Sequence, residues 1–221
     1  MKQLQYFVIH CTATPEGREV TPDDIMQWHL APRFPSPQEI ETLIKANASK
    51  PALLNILRSP NVLVYKGNYY SDVNALPNET IGGVSIKRLR GRGWSRVGYS
   101  DMIMLDGSLV NLTPYDDDNY VEPWEITNGA SGINGLARHI VYAGGKDKTD
   151  LSLKTNKDTR TPAQNETLKN WVFNIIAKHP TIKGAGHNQF AKKACPSFNV
   201  PQWLKSIGVA DVNIHHSPVF L

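Results

Sequence analysis

The sequence has few features of disulfide-rich secreted proteins or of membrane proteins. Two cysteines among 221 residues exclude a disulfide framework and favour free thiols or metal ligands for Cys11 and Cys195. No run of about 18 apolar residues could cross a bilayer. The apolar stretch Tyr6–Ile9 is far shorter than a signal-peptide core. We therefore expect a protein without an export signal that is cytoplasmic on synthesis.

The chain also lacks a strong charge of one sign, internal repeats and low-complexity tracts. It has 24 Lys and Arg against 20 Asp and Glu, a formal net charge of +4. An anionic polymer is a reasonable partner for such a chain, but this excess does not choose between nucleic acid and bacterial cell wall. With 40% apolar and 20% charged residues, the composition is that of an ordinary folded protein.

Local patterns predict strands interspersed with amphipathic helices. Tyr6–Cys11 is typical of a short buried strand, and its alternation places His10 and Cys11 on opposite faces. Gly98–Leu112 predicts a hairpin that turns at Asp106-Gly107, and His139–Ala143 predicts another strand. Thr161-Pro162-Ala163-Gln164 is a capping box ahead of a helix with one apolar face. The predicted fold class is α/β (α+β), a central mixed sheet flanked by helices.

Residues 31–90 differ in sequence pattern from the rest of the chain. They are interpreted as an insertion within a single domain spanning residues 1–221. A helix that starts at Thr21 and runs towards His29 precedes this segment. Inside it we predict helices near Gln38–Ala48 and Ala52–Leu57, followed by a small hairpin that turns at Lys66-Gly67-Asn68.

Three residues are candidate ligands of a catalytic metal: His10, His187 and Cys195. Catalytic zinc takes three protein ligands and leaves a fourth position for water. Each residue also has an ordinary interpretation, because single histidines are more often packed or solvated and a lone cysteine is often an inert buried thiol. Cys11 fits that second description. The sequence context gives no support for a ligand role of the remaining histidines: His29, His139, His179, His215 and His216.

The joint pattern resembles a known family. FVIHCTAT, RGRGWSRVGYSDMIMLDG, YAGG, TPAQ and GHNQFAKKACPSF occur in that order, as in the zinc N-acetylmuramoyl-L-alanine amidases, which include amidase-type phage lysozymes and peptidoglycan recognition proteins. The resemblance covers about residues 5–30 and 90–205. It implies an amidase-like fold with an inserted subdomain and one catalytic Zn²⁺ held by His10, His187 and Cys195. It further implies catalytic roles for Tyr99 and Lys193.

Those two roles make chemical sense, because donors aimed at a tetrahedral oxyanion lower the barrier to amide hydrolysis. Otherwise Tyr99 would be a sheet aromatic and Lys193 a solvated loop cation. The chain departs from the family at Ser100-Asp101, where His-Phe is usual. Asp101 is open to three interpretations: it orients a ligand, acts as a base, or lies at an exposed strand end. The insertion 31–90 is a second departure, for which a lid or groove wall and a peripheral decoration both remain open.

The resemblance implies hydrolysis of the amide between N-acetylmuramic acid and L-alanine in peptidoglycan. The expected substrate is peptidoglycan or a muropeptide, with no nucleic acid and no membrane as partner. A phage-type endolysin released through a holin-made hole is favoured over a cytoplasmic recycling enzyme. The alternatives are a non-catalytic peptidoglycan-binding module and a regulatory module that binds a protein partner.

Overall fold

A computed structural model describes residues 1–220 of the chain. It forms two compact units: Met1–Pro22 together with the chain from Gly98 onward, and Asp23–Val97. Among the described residues, no helix is both long and apolar enough to cross a membrane.

The bounds of the regular elements follow in chain order. The strands are β1 (Lys2–Gln3), β2 (Tyr6–Cys11), β3 (Thr14–Pro15), β4 (Leu63–Tyr65), β5 (Asn68–Tyr70), β6 (Thr80–Ile81), β7 (Val84–Ser85), β8 (Asp101–Ile103), β9 (Leu109–Asn111), β10 (Tyr120–Val121), β11 (Ala137–Tyr142), β12 (Gly145–Lys146) and β13 (Lys183–Gly186). The α-helices are α1 (Pro22–Leu30), α2 (Pro37–Ala46), α3 (Pro51–Leu57), α4 (Pro162–Lys178) and α5 (Val200–Ser206).

The first unit is built on a five-stranded sheet of order β13-β2-β11-β8-β9. The first four of these strands are parallel, and β9 returns antiparallel to β8 through the hairpin predicted from Asp106-Gly107. The predicted mixed α/β class is therefore confirmed. Because parallel strands point the same way, the carboxyl ends of β2, β11 and β13 meet at one edge of the sheet.

Strand alternation gives this sheet two chemically distinct faces. The α4 face carries Phe7, Ile9 and Cys11 of β2, which share one apolar core with α4 and α5. Phe7 packs edge-to-face on Trp171 of α4, with ring centroids 5.8 Å apart. The opposite face, here called the histidine face, carries His10 of β2 and His139 of β11, since residues two apart on a strand point to the same side.

The local sequence determines where helix α4 begins. The Thr161 hydroxyl accepts from the Gln164 amide at 3.1 Å, and the Gln164 side chain accepts from the Thr161 amide at 2.9 Å. This reciprocal cap satisfies two of the amide groups that a helix start leaves unpaired. The capping box predicted from the sequence is confirmed.

The segment after α4 corrects one expectation. After Pro180 the sequence predicts a loop that carries GAGHNQFAKKACPSF, but Lys183–Gly186 is strand β13, which pairs in parallel with β2. Its sequence, Lys-Gly-Ala-Gly, has low strand propensity. Tertiary packing overrides this low propensity, so the segment forms a strand. A Cβ at Gly184 would lie 2.2 Å from the Phe7 ring, so this edge strand requires glycine in order to pack against the core.

The second unit, Asp23–Val97, contains a small core of its own. Its members are all buried and come from the residue after α1, from β4 and from the chain that follows the β4-β5 hairpin: Ala31, Leu63, Tyr65, Leu76, Ile81 and Ile86. The helices α2 and α3 and the hairpin turning at Lys66-Gly67 agree with the local predictions. The segment 31–90 lies inside this unit, and its assignment as a lid or groove wall stays a prediction.

Candidate metal centre

Two of the predicted ligands lie side by side at the carboxyl ends of two paired parallel strands. His10 is the fifth residue of β2, and His187 follows the last residue of β13 directly. Because β13 pairs with β2 with Gly186 opposite Ile9, the residue after β13 arrives beside His10. The two imidazole ring centroids are 4.7 Å apart. The strand missed from the sequence is therefore the element that positions His187.

The third predicted ligand, Cys195, is held by backbone contacts on both sides of its loop. The Cys11 amide donates to Cys195 Sγ at 3.3 Å, and the Asn188 amide donates to the Cys195 carbonyl at 2.7 Å. The next carbonyl, that of Pro196, accepts from the buried Tyr142 hydroxyl at 2.7 Å. The sulfur is thus fixed against the end of β2 although it lies 185 residues from His10 in the chain.

The three side chains fit a zinc ion. Their ligand atoms all lie within 4.8 Å of one another, and His10 Nδ1 is 3.7 Å from Cys195 Sγ. Tetrahedral zinc with ordinary bond lengths separates a nitrogen from a sulfur ligand by about 3.6 Å. Two imidazoles and one thiolate also match the ligand types that zinc prefers, and three ligands leave one position open.

Burial sets the protonation of these groups. It lowers the pKa of His187 to about 4, with a smaller contribution from the positive charge of Lys193. His187 is therefore a neutral imidazole near pH 7, as a metal ligand must be. Burial raises the pKa of the Cys195 thiol, and Lys193 acts in the opposite direction. A cation next to the sulfur would favour the thiolate further.

The two predicted catalytic residues lie differently around these ligands. Tyr99 precedes β8 by two residues, and its ring centroid is 5.1 Å from that of His10. Lys193 is exposed in the loop two residues before Cys195. The first places a phenol beside the candidate ligands, and the second places an exposed ammonium group near His187 and Cys195.

His139 belongs to this site although its sequence context did not single it out. Its Nδ1 is 3.0 Å from His10 Nε2, and the side chain is fully buried. Burial lowers the pKa of His139 to about 3, with smaller contributions from His187 and Arg138. The available signal was its strand position, but alternation cannot reveal that β11 lies next to β2, because that pairing is long-range.

Asp101 lies on the α4 face and not among the ligands. Its Oδ2 accepts from the Tyr115 hydroxyl at 2.7 Å and from Trp171 Nε1 at 3.0 Å, and its Oδ1 accepts from Asn111 Nδ2 at 3.0 Å. Burial raises its pKa against these hydrogen bonds. The carboxylate is a buried structural acceptor, so it is neither an exposed strand end nor a base directed at the cluster.

Sequence comparison finds phage endolysins. The chain is 27% identical over 131 residues to the endolysin of Escherichia phage T7, an alignment that covers 58% of this chain and 77% of that protein. It is 28% identical over 116 residues to the endolysin of Enterobacteria phage K11, covering 52% of this chain and 68% of that protein. No protein-family model matches the chain.

Structure comparison finds amidases and peptidoglycan recognition proteins at low identity. One match is the N-acetylmuramoyl-L-alanine amidase LysC from Clostridium intestinale, with a TM-score of 0.48 and 18% identity over 97% of this chain and 88% of that one. Another is Drosophila PGRP-LB, with a TM-score of 0.48 and 16% identity over 98% of this chain and 88% of that one. The chain is thus similar to phage endolysins over more than half of its length, in agreement with the resemblance noted from its sequence motifs.

Proposed function

We propose that the chain is a zinc-dependent, endolysin-type amidase that hydrolyses the bond between N-acetylmuramic acid and L-alanine in peptidoglycan. The similarity to phage endolysins supports a peptidoglycan-cleaving amidase activity. The observation that carries the zinc-dependent mechanism is that His10, near the start of the chain, lies with His187 and Cys195, near its end, so that their ligand atoms are within 4.8 Å of one another.

Each proposed site residue has a separate task. His10, His187 and Cys195 hold the ion, which when bound supplies Lewis acidity towards the scissile carbonyl and an acidified water. Tyr99 donates a hydrogen bond to the oxygen that becomes negative as the carbonyl is attacked. Lys193 places a positive charge near the same oxygen, and its exposed, flexible side chain can follow the substrate.

The substrate and setting follow from the same proposal. A peptidoglycan strand or a soluble muropeptide presents the lactyl amide together with stem-peptide carboxylates, which suit an exposed lysine at the edge of the site. We place the enzyme in phage lysis, where it would reach the cell wall through a holin-made hole in the membrane.

The direct test uses purified full-length chain and isolated peptidoglycan. We expect the protein to release new L-alanine amino termini from the peptidoglycan. This release should stop after dialysis against a chelator and recover when stoichiometric Zn²⁺ is added. The matched control is His216→Ala, which removes an exposed histidine and should behave as wild type. Undiminished cleavage by the chelated protein would contradict the metal mechanism, and wall binding without cleavage would favour a recognition module.

The segment 31–90 is proposed as a lid or groove wall over the substrate. Within its own unit the two ends of this segment meet, since the Gly91 amide donates to the Pro32 carbonyl at 2.9 Å. A two-glycine link from Pro32 to Gly91 can therefore replace residues 33–90. We expect this variant to bind zinc and to lose activity on intact walls. Zinc binding with wild-type activity would refute the lid.

A further inference from the structure

His139 occupies the middle of β11 on the histidine face, one strand away from a proposed metal ligand. Its Nδ1 lies 3.0 Å from His10 Nε2, and the ring centroids are 5.2 Å apart. The side chain is 0% exposed. The contact is therefore a buried hydrogen bond between two imidazoles, and only one of the two facing nitrogens can carry the proton.

The geometry of His10 decides which nitrogen donates when a metal is bound. His10 Nδ1 faces Cys195 Sγ at 3.7 Å, so Nδ1 is the atom that would give its lone pair to the ion. A neutral imidazole that ligates through Nδ1 carries its proton on Nε2. That proton points at His139 Nδ1, which must then accept. His139 in turn carries its own proton on Nε2.

The surroundings hold the His139 ring in this acceptor position. A Cβ at Gly129 would lie 2.3 Å from His139 Nδ1, so only a glycine allows the backbone to approach the ring this closely. The His139 amide donates to Ser100 Oγ at 3.3 Å, and its carbonyl accepts from the Ser100 amide at 2.8 Å. Its Nε2 is buried and meets no hydrogen-bond partner in residues 1–220. Hydrogen bonding at Nε2 therefore does not fix the ring, whereas the close approach of the Gly129 backbone limits the positions that the ring can take.

We propose that His139 is a positioning residue that orients His10 and fixes the tautomer in which His10 ligates through Nδ1. The inference rests on the proposed zinc site and adds a residue behind it. Partners of this kind lock the ring and raise the basicity of the ligand nitrogen, and their loss typically lowers metal affinity about 10- to 100-fold.

Two substitutions separate hydrogen bonding from packing. His139→Leu introduces an apolar side chain of similar size and removes the hydrogen-bond acceptor. We expect zinc affinity to fall about 10- to 100-fold. His139→Asn places an amide oxygen near the position of Nδ1, and we expect affinity within about threefold of wild type. The control is His179→Leu, which removes a buried histidine bonded to Asn119 and should leave zinc affinity unchanged.

The affinities are measured by competition with a chromophoric chelator, and thermal melting reports folding. A folded His139→Leu protein with wild-type zinc affinity would overturn the inference while leaving the proposed function intact. A wild-type chain that binds no zinc would overturn both. ¹⁵N NMR of the zinc-loaded wild type needs no variant: we expect a proton on His10 Nε2 and a bare His139 Nδ1. A proton on His139 Nδ1 would reject the inference.

Discussion

The two faces of the central sheet use the same strands for opposite purposes. On the α4 face the buried carboxylate of Asp101 has three side-chain donors from Asn111, Tyr115 and Trp171. At the end of β2, next to the histidine face, the candidate ligand atoms of His10, His187 and Cys195 lie within 4.8 Å of one another. Buried polar groups that are fully satisfied by the protein contribute to stability. A cluster whose lone pairs converge is suited to bind something else.

The strongest test of this contrast removes a ligand from the histidine face. We expect His187→Ala to abolish zinc binding at micromolar metal and to reduce cleavage to the level of the metal-free protein, because two ligands hold zinc much less tightly than three. Zinc content by atomic emission and release of amino termini are the measurements. An active, zinc-loaded variant would show that this residue is not a ligand.

Substitution of the two proposed oxyanion donors should give a smaller effect and leave the metal in place. We expect Tyr99→Phe and Lys193→Ala each to lower kcat about 100-fold, as is typical for one missing donor, with zinc content unchanged. Lys192→Ala removes the neighbouring exposed cation and is the matched control. Equal losses in both lysine variants would point to general charge attraction of the substrate instead.

On the α4 face the same kind of substitution should affect stability and not chemistry. Asp101→Ala leaves the hydroxyl of Tyr115 and the indole N–H of Trp171 without their acceptor, and each stranded buried donor costs about 1–3 kcal/mol. Urea unfolding should show this loss, while zinc affinity stays at the wild-type value. A fall in zinc affinity with unchanged stability would break the distinction between the two faces.

The two faces should also respond in opposite directions to acid in the metal-free protein. Burial depresses the pKa of His139 to about 3 and that of His187 to about 4, against about 6.5 in the unfolded chain. The unfolded state binds more protons in that window, so these residues make stability fall as pH decreases from about 6.5 towards 3. The raised pKa of Asp101 has the opposite sign, since the folded state then holds the extra proton.

Urea unfolding in the presence of a chelator, at several values between pH 7 and 4, measures this dependence. The slope should be shallower in His139→Asn, which has no titrating ring at that position. Identical slopes in the two proteins would show that His139 is not held neutral in the fold.

The sequence predicts the local features of the site and misses those that depend on strand neighbours. Alternation along Tyr6–Cys11 separates His10 from Cys11, and the pattern at Thr161–Gln164 marks the start of α4. By contrast, the sequence predicts a loop at β13, since the glycines that its close packing requires also weaken the prediction of a strand. The sequence does not single out His139 for a related reason: long-range pairing decides which strand lies beside β2.

The buried position of Asp101 shows the same limit. An acid in a strand is usually an edge or exposed residue, and the sequence did not reveal that Tyr115 and Trp171 would both direct donors at it. Its partners come from a following loop and from α4, respectively 14 and 70 residues away.

The placement of the ligands along the chain has a consequence for the timing of activity during synthesis. His10 is synthesised long before β13 and the loop of Cys195. A nascent chain that has not yet reached Cys195 therefore carries an incomplete set of the proposed ligands. Zinc binding at this site can be completed only after the distant segment that bears His187 and Cys195 has been made.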